Sequence, residues 1–226
     1  MGLFDGFKQM GKMMAGGGMD AASITQSWDN ALTELGLSVT HSEPTPPEGV
    51  KMLQNGDETH VTGTLNGVQT EWRFVSYTYM ESNWSNQYSW VNDRRMHFAI
   101  PNVGDWTVTL MPKTKGLEGG MQTSVQSFNE AFHVTTNDEA RVNEVFTQDI
   151  LQDFADRGWM HLEIAGDWLT VIDDFQNQFA TSATGGMKAM SATHPLFGSS
   201  ISSMAPNMDV TRRFLDVITT LAKQVK

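Results

Sequence analysis

The stretch HVTGTLNGVQTEWRFVSYTY, residues 60–79, constrains the fold more than any other part of the chain. Asn66-Gly67 sits between two runs rich in β-branched and aromatic residues, the pattern of a tight hairpin whose central residues take positive φ. A two-residue loop there pairs Leu65 with Val68, Gly63 with Thr70 and Val61 with Trp72, and sets Thr62 opposite Glu71 and His60 opposite Arg73. That register gathers the apolar side chains on one face and the polar ones on the other. A sheet half covered by something else follows.

More strands are expected after it. Residues 88–92, 95–100 and 106–111 alternate in the same way, with Trp106, Val108 and Leu110 on one face. WMHLEIAGDWLTVI (159–172) is a second tight hairpin, turning at Gly166-Asp167 with Met160, Leu162 and Ile164 on one side. Between these lie helical patterns. Residues 20–36 have Asp20 at the N-cap position, apolar residues at three- and four-residue spacing (Ile24, Trp28, Ala31, Leu32, Leu35) and Gly36 at the end. Thr136 with Glu139 makes a capping-box pattern ahead of Val142 and Val145. Thr147 opens a helix with Ile150, Leu151 and Phe154 inward, closed by Gly158. Phe128, Phe132 and Val134 read as buried strand-and-turn positions.

The middle of the chain resembles a bacterial, largely actinobacterial, protein family that pairs a GTLNG-type strand with a later FNxxFxV block. The matching residues are VTGTLNGVQTEW (61–72) and SFNEAFHVTTNDEARVNEVFTQDILQDF (127–154), and the resemblance spans roughly residues 58–175. It implies an α+β domain. Its motifs are glycine turns and core hydrophobes, and it implies no reaction.

The two ends fall outside that resemblance. In MGLFDGFKQMGKMMAGGG, a helix would place Leu3, Phe7, Met10 and Met14 on one stripe, flanked by Phe4 and Met13, with Lys8, Gln9 and Lys12 opposite. Gly6 and Gly11 each weaken it by about 1 kcal/mol relative to Ala, so it forms only against a surface. That surface is a bilayer interface, a partner protein, a second copy, or its own domain. At the other end, residues 207–226 set Val210, Phe214, Val217, Leu221 and Val225 on one stripe of a helix, with the same four choices and self-packing the larger share because the stripe is longer and more regular.

Charge narrows the classes of partner. The net charge is −11, yet residues 1–19 carry Lys8 and Lys12 against Asp5, and residues 200–226 carry four basic groups against Asp209 and Asp216. The body between is therefore strongly acidic and repels phosphate backbones, which argues against nucleic acid. No apolar run approaches the roughly 20 residues needed to span a bilayer, and the start has neither a secretory h-region nor a myristoylation pattern. The absence of cysteine removes disulfides and thiolate chemistry, and fits a cytoplasmic setting.

No phosphate loop, dinucleotide fingerprint, nucleophile elbow or HExxH stands in the sequence. His161 and Glu163 share a strand face, and Asp149, Asp153 and Asp156 share a helix face, as solvated residues do. No metal, cofactor or catalytic residue is expected. One constellation draws more interest: Trp84, Tyr88 and Trp90 precede Arg94-Arg95, an adjacent basic pair in the acidic body. Aromatics beside arginines stack on ligands or anchor interfaces. The plainer reading, which the pattern favours, is that the aromatics are core strand residues and the arginines pair with local carboxylates.

The expected architecture is α+β, a twisted and mostly antiparallel sheet with helices on one face and amphipathic helices at both termini. Its divisions are an N-terminal segment and glycine hinge (1–19), the α+β domain (20–179), a Met/Ser/Gly-rich linker or arm (180–206) and the C-terminal helix (207–226). The functional expectation is a non-enzymatic adaptor or assembly protein. It docks through its ends to a larger complex or to its own copies, in the cytoplasm or peripherally on the inner membrane face. The rival is a ligand-binding or enzymatic pocket near Trp84, Trp90 and Arg95.

Overall fold

In a computed structural model of the chain, the structure describes residues 21–46, 51–52, 56–80, 88–113, 120–174, 196–197 and 206–225. The hairpin forms as its sequence dictates. Strands β3 (Asp57–Leu65) and β4 (Val68–Met80) pair in the expected register, from Leu65 opposite Val68 to His60 opposite Arg73. Asn66 and Gly67 adopt φ of 50° and 81°, the left-handed pair that a type I′ turn requires.

Around it the sheet grows by antiparallel pairing alone. Before β3 come helix α1 (Ala21–Glu34), β1 (Ser38–Ser42) and the short β2 (Lys51–Met52). After β4 come β5 (Tyr88–Ala99), β6 (Val108–Pro112), α2 (Gln126–Ala131), β7 (Phe132–Thr136), α3 (Glu139–Val145) and α4 (Gln148–Arg157). The chain then runs through β8 (Leu162–Ala165) and β9 (Trp168–Ile172) to α5 (Met208–Gln224). The nine-stranded sheet has the order β1-β3-β4-β5-β9-β8-β6-β7, with β2 also against β4. One cross-strand row, Val39, Val61, Trp72, Met96, Val171, Leu162, Leu110 and Val134, runs through every strand of that path.

All of this row except the half-buried Val39 is fully buried, and the helices supply the other half of the core. Phe128 of α2, Val142 and Val145 of α3, Ile150, Leu151 and Phe154 of α4, and Phe214, Leu215, Ile218 and Leu221 of α5 join one apolar cluster with it. The fold is thus α+β, an antiparallel sheet with helices over one face.

Several local readings change. The two strands expected over 88–100 are one, β5. Phe128 lies in a helix, because residues 126–131 close a helical turn and a half before β7 begins. The cap of α3 is Asp138, which accepts from Arg141 N at 3.0 Å, while Thr136 Oγ1 donates to Thr107 O at 2.8 Å and so ties β7 to the start of β6. Trp159, which strict alternation would set on the side opposite Met160, is buried as Met160 is. Within the span read as a linker, Leu196 and Phe197 are buried, and Phe197 meets Trp28 and Phe214 edge-on at 4.9 and 6.2 Å.

The C-terminal helix is corrected as a docking element. Phe214 and Leu221, named as candidate partner or membrane positions, take the other choice and are fully buried in the chain's own core, and Val217 packs partly buried against it. Asn207 caps the helix by accepting from Asp209 N and Val210 N at 3.1 and 3.3 Å. From the hairpin turn, Asn66 Nδ2 donates to Asp216 Oδ1 at 2.8 Å and to Thr219 Oγ1 at 3.0 Å. The stripe is covered because the sheet needs it.

Candidate functional site

Strand alternation decides the fate of the basic pair. Arg94 and Arg95 are neighbours on β5, so they leave the sheet on opposite faces. Arg94 points to the helical side, where its guanidinium lies 4.6 Å from the centre of the Phe74 ring and its Nε 3.2 Å from Asp173 Oδ2. The Asp173 side chain is 1% exposed, so the pair is held just past the end of β9, where Asp173 N also donates to Arg94 O at 2.8 Å. Arg95 lies on the open side and donates through Nε to Asp93 at 2.9 Å. The two cations therefore serve no common site, and both bind local carboxylates. Tyr88 and Trp90 belong to β5 by their backbone, and Trp84 lies outside the described residues.

The open face carries an ordered polar array built by the hairpin register. Arg73 Nε donates to Glu58 Oε1 at 2.7 Å, and His60 Nε2 lies 2.9 Å from the same oxygen. The hydrogen bond from Arg73 outweighs the burial of Glu58 and holds its carboxyl below the usual range, and it raises Arg73 in return. Further along, β9 brings Thr170 beside β5, and His97 Nδ1 is 2.9 Å from Thr170 Oγ1. His97 meets the Trp168 ring edge-on at 5.7 Å. Burial pushes His97 below its ordinary value, so the neutral imidazole is favoured. Trp168 is 37% exposed, the large apolar side chain that the described residues leave open to water.

Other expected positions fall elsewhere. Val210 lines a cleft of about 220 Å³ between α4 and α5 together with Asp153, Asp156, Arg157 and Arg213. Two carboxylates and two guanidiniums face it, and Arg157 is committed to Asp153 at 2.5 Å. His161 Nδ1 lies 3.2 Å from Asp174 Oδ2, so its carboxylate neighbour is Asp174, two residues beyond β9. Among the described residues no three His, Asp or Glu side chains converge as metal ligands would. Leu3, Phe4, Phe7, Met10, Met13 and Met14 lie outside the described residues.

The sequence did not single out His97 or Trp168, nor the pairing of Asp173 with Arg94. Their roles depend on the β5–β9 pairing, which joins residues 73 positions apart (His97 and Thr170) and leaves no local signature.

No protein-family profile matches the chain, and no curated protein does. Among solved structures, the mycobacterial trehalose monomycolate transport factor A, TtfA, aligns over 87% of this chain and 95% of that one, with a TM-score of 0.39 and 10% identity. So loose a likeness assigns no function, and this chain is described by its own geometry.

Proposed function

We propose that the protein is a non-enzymatic adaptor or assembly protein that docks to a larger protein complex, or to its own copies, through its N-terminal segment. The observation that carries this reading is the composition of residues 2–14. Six large apolar side chains (Leu3, Phe4, Phe7, Met10, Met13, Met14) at helical spacing stand beside Lys8 and Lys12 on a chain of net charge −11. Methionine-rich stripes adapt to protein surfaces, and two lysines give only weak attraction to anionic lipid. The polar, ion-paired face of the sheet supports the same reading, since it keeps the domain in water while an end engages a partner. The corrected C-terminal helix moves the docking role onto the N-terminus. A cytoplasmic location, peripheral on the membrane where the partner is membrane-bound, belongs to this proposal.

The pocket reading draws less support, because Arg94 and Arg95 leave the sheet on opposite faces and each holds a carboxylate. Deleting residues 1–18 tests the docking proposal. Pull-down from native lysate, light-scattering mass and co-sedimentation with anionic vesicles are compared for the two chains. Loss of a captured protein or of a higher mass supports it. Loss confined to vesicle binding makes the segment a membrane anchor, and no change in any of the three removes the proposal.

A further inference from the structure

The two ends of the sheet are finished differently. At the β7 end the outer backbone is occupied: Met121 N donates to Val134 O at 3.0 Å, and Gly120 presses so closely that a Cβ there would meet His133 Nδ1 at 2.7 Å. At the β1 end the ladder stops. The two-residue turn makes Leu65–Val68 a hydrogen-bonded pair, so by alternation Gly63, Val61 and Thr59 aim their backbone groups at β4. Thr62, His60 and Glu58 then aim theirs at β1, and their partners Ser38, Thr40 and Ser42 return them. This leaves the N–H and C=O groups of Val39 and His41 directed outward. The neighbouring Leu37 N fits the alternation, since it turns away from β3 to donate to Leu32 O at 3.1 Å.

Among the described residues nothing guards this edge as edges are usually guarded. SVTHS holds no proline, lysine or bulge, and four of its five residues are exposed. Its surroundings are acidic. Asp29 of α1 and Asp57 of β3 lie 3.1 and 3.8 Å from the His41 ring, with side chains 27% and 65% exposed, and Glu43 follows the strand in an exposed position. Two carboxylates lie against the imidazole and a third follows in the chain, so the rim stays negative in either state of His41. A second copy carries the same −11 charge and is repelled, whereas a cationic strand is drawn in.

We propose that the outer edge of β1 is a docking site for an extended, lysine- or arginine-bearing segment of a partner protein, which adds to the sheet through the backbone groups of Val39 and His41. Main-chain hydrogen bonds hold such a strand, and the flanking carboxylates select its charge. This site is independent of the terminal docking above, so the deletion of residues 1–18 and the experiment below fail separately.

The probe is a blocked heptapeptide of alternating Lys and Val, titrated into the full chain at low salt, with the Glu-Val heptapeptide as control. Amide exchange at Val39 and His41 is read by NMR and affinity by fluorescence anisotropy. The Lys-Val peptide slows exchange at both amides and binds at least tenfold more tightly than the Glu-Val peptide. Val39→Pro removes an outward N–H and leaves the inner ladder intact, so it weakens binding about tenfold. Thr40→Lys keeps the backbone, adds a like charge beside the strand, and weakens binding several-fold. Three results would overturn the proposal: unchanged exchange at the two amides, equal binding of the Glu-Val peptide, or affinity unmoved in both variants. Sedimentation showing a dimer that Val39→Pro dissolves would assign the edge to a second copy instead and overturn it equally.

Discussion

Replacing Phe214 by Ala tests whether α5 is core or appendage. The ring is fully buried, meets Phe197 at 6.2 Å with planes at 82°, and has the Arg157 guanidinium 5.6 Å from its centre. Removing a buried phenyl group forfeits on the order of 150 Å² of apolar burial, about 4 kcal/mol at 25 cal/mol/Å². Core Phe→Ala changes fall at roughly 3–5 kcal/mol because the cavity left behind collapses only in part. For a chain of this size that lowers Tm by roughly 8–16 °C. The measurement is urea unfolding followed by tryptophan fluorescence and far-UV circular dichroism, with Thr220→Ala on the exposed side of α5 as a control expected within about 0.5 kcal/mol. A loss under about 1 kcal/mol for Phe214→Ala, equal to that of the control, would refute the assignment of the helix to the core.

Three further outcomes follow from the geometry. Asp173→Ala leaves the Arg94 guanidinium, 20% exposed, without its buried carboxylate and costs about 3 kcal/mol in chemical denaturation, since an unpaired charge is then kept on the helical side. The lowered His97 gives stability that is whole above the unfolded histidine value of about 6.5 and declines as pH falls toward the folded value, because the unfolded chain takes up the proton first. Glu58 adds a second decline below about pH 4.3, and His97→Gln flattens the Tm–pH curve only in the upper window. Gly120→Ala, at φ +97° with a Cβ at 2.7 Å from His133 Nδ1 and 3.1 Å from Val134 O, destabilises by about 1–2 kcal/mol and speeds amide exchange at Met121.

The hairpin was legible because all its determinants are local: Asn66-Gly67 sets the turn, and alternation from Val61 to Trp72 sets the face. The second hairpin was legible for the same reason. The C-terminal stripe of Phe214 and Leu221 announced that something must cover it, but an amphipathic pattern is the same whether the cover is a partner or the chain's own sheet. Local pairing of Arg94 and Arg95 with carboxylates was the plainer of the two readings, and it holds because adjacency in sequence is opposition across a strand. Phe128 was misread because a six-residue helix offers too little periodicity to distinguish it from a turn. The role of Asp173 was not legible, since its partner Arg94 reaches it only after β5 and β9 have paired.

That pairing divides the sheet into two halves of different origin. Strands β1, β3, β4 and β5 come from residues 38–99, and β6 to β9 from residues 108–172, so the ladders within each half join segments near in sequence. In the sheet, the five pairs from Arg95–Ile172 to Ala99–Trp168 join one half to the other, extended by the backbone bonds of Ile100 to Asp167, Val103 to Gly166 and Asp173 to Arg94. Closing a long loop before any contact repays it is entropically slow, so this seam is the late event in assembly. His97, Thr170 and Trp168 sit astride the seam and come together only once the two halves have closed, whereas the Arg73–Glu58–His60 array lies within the first half.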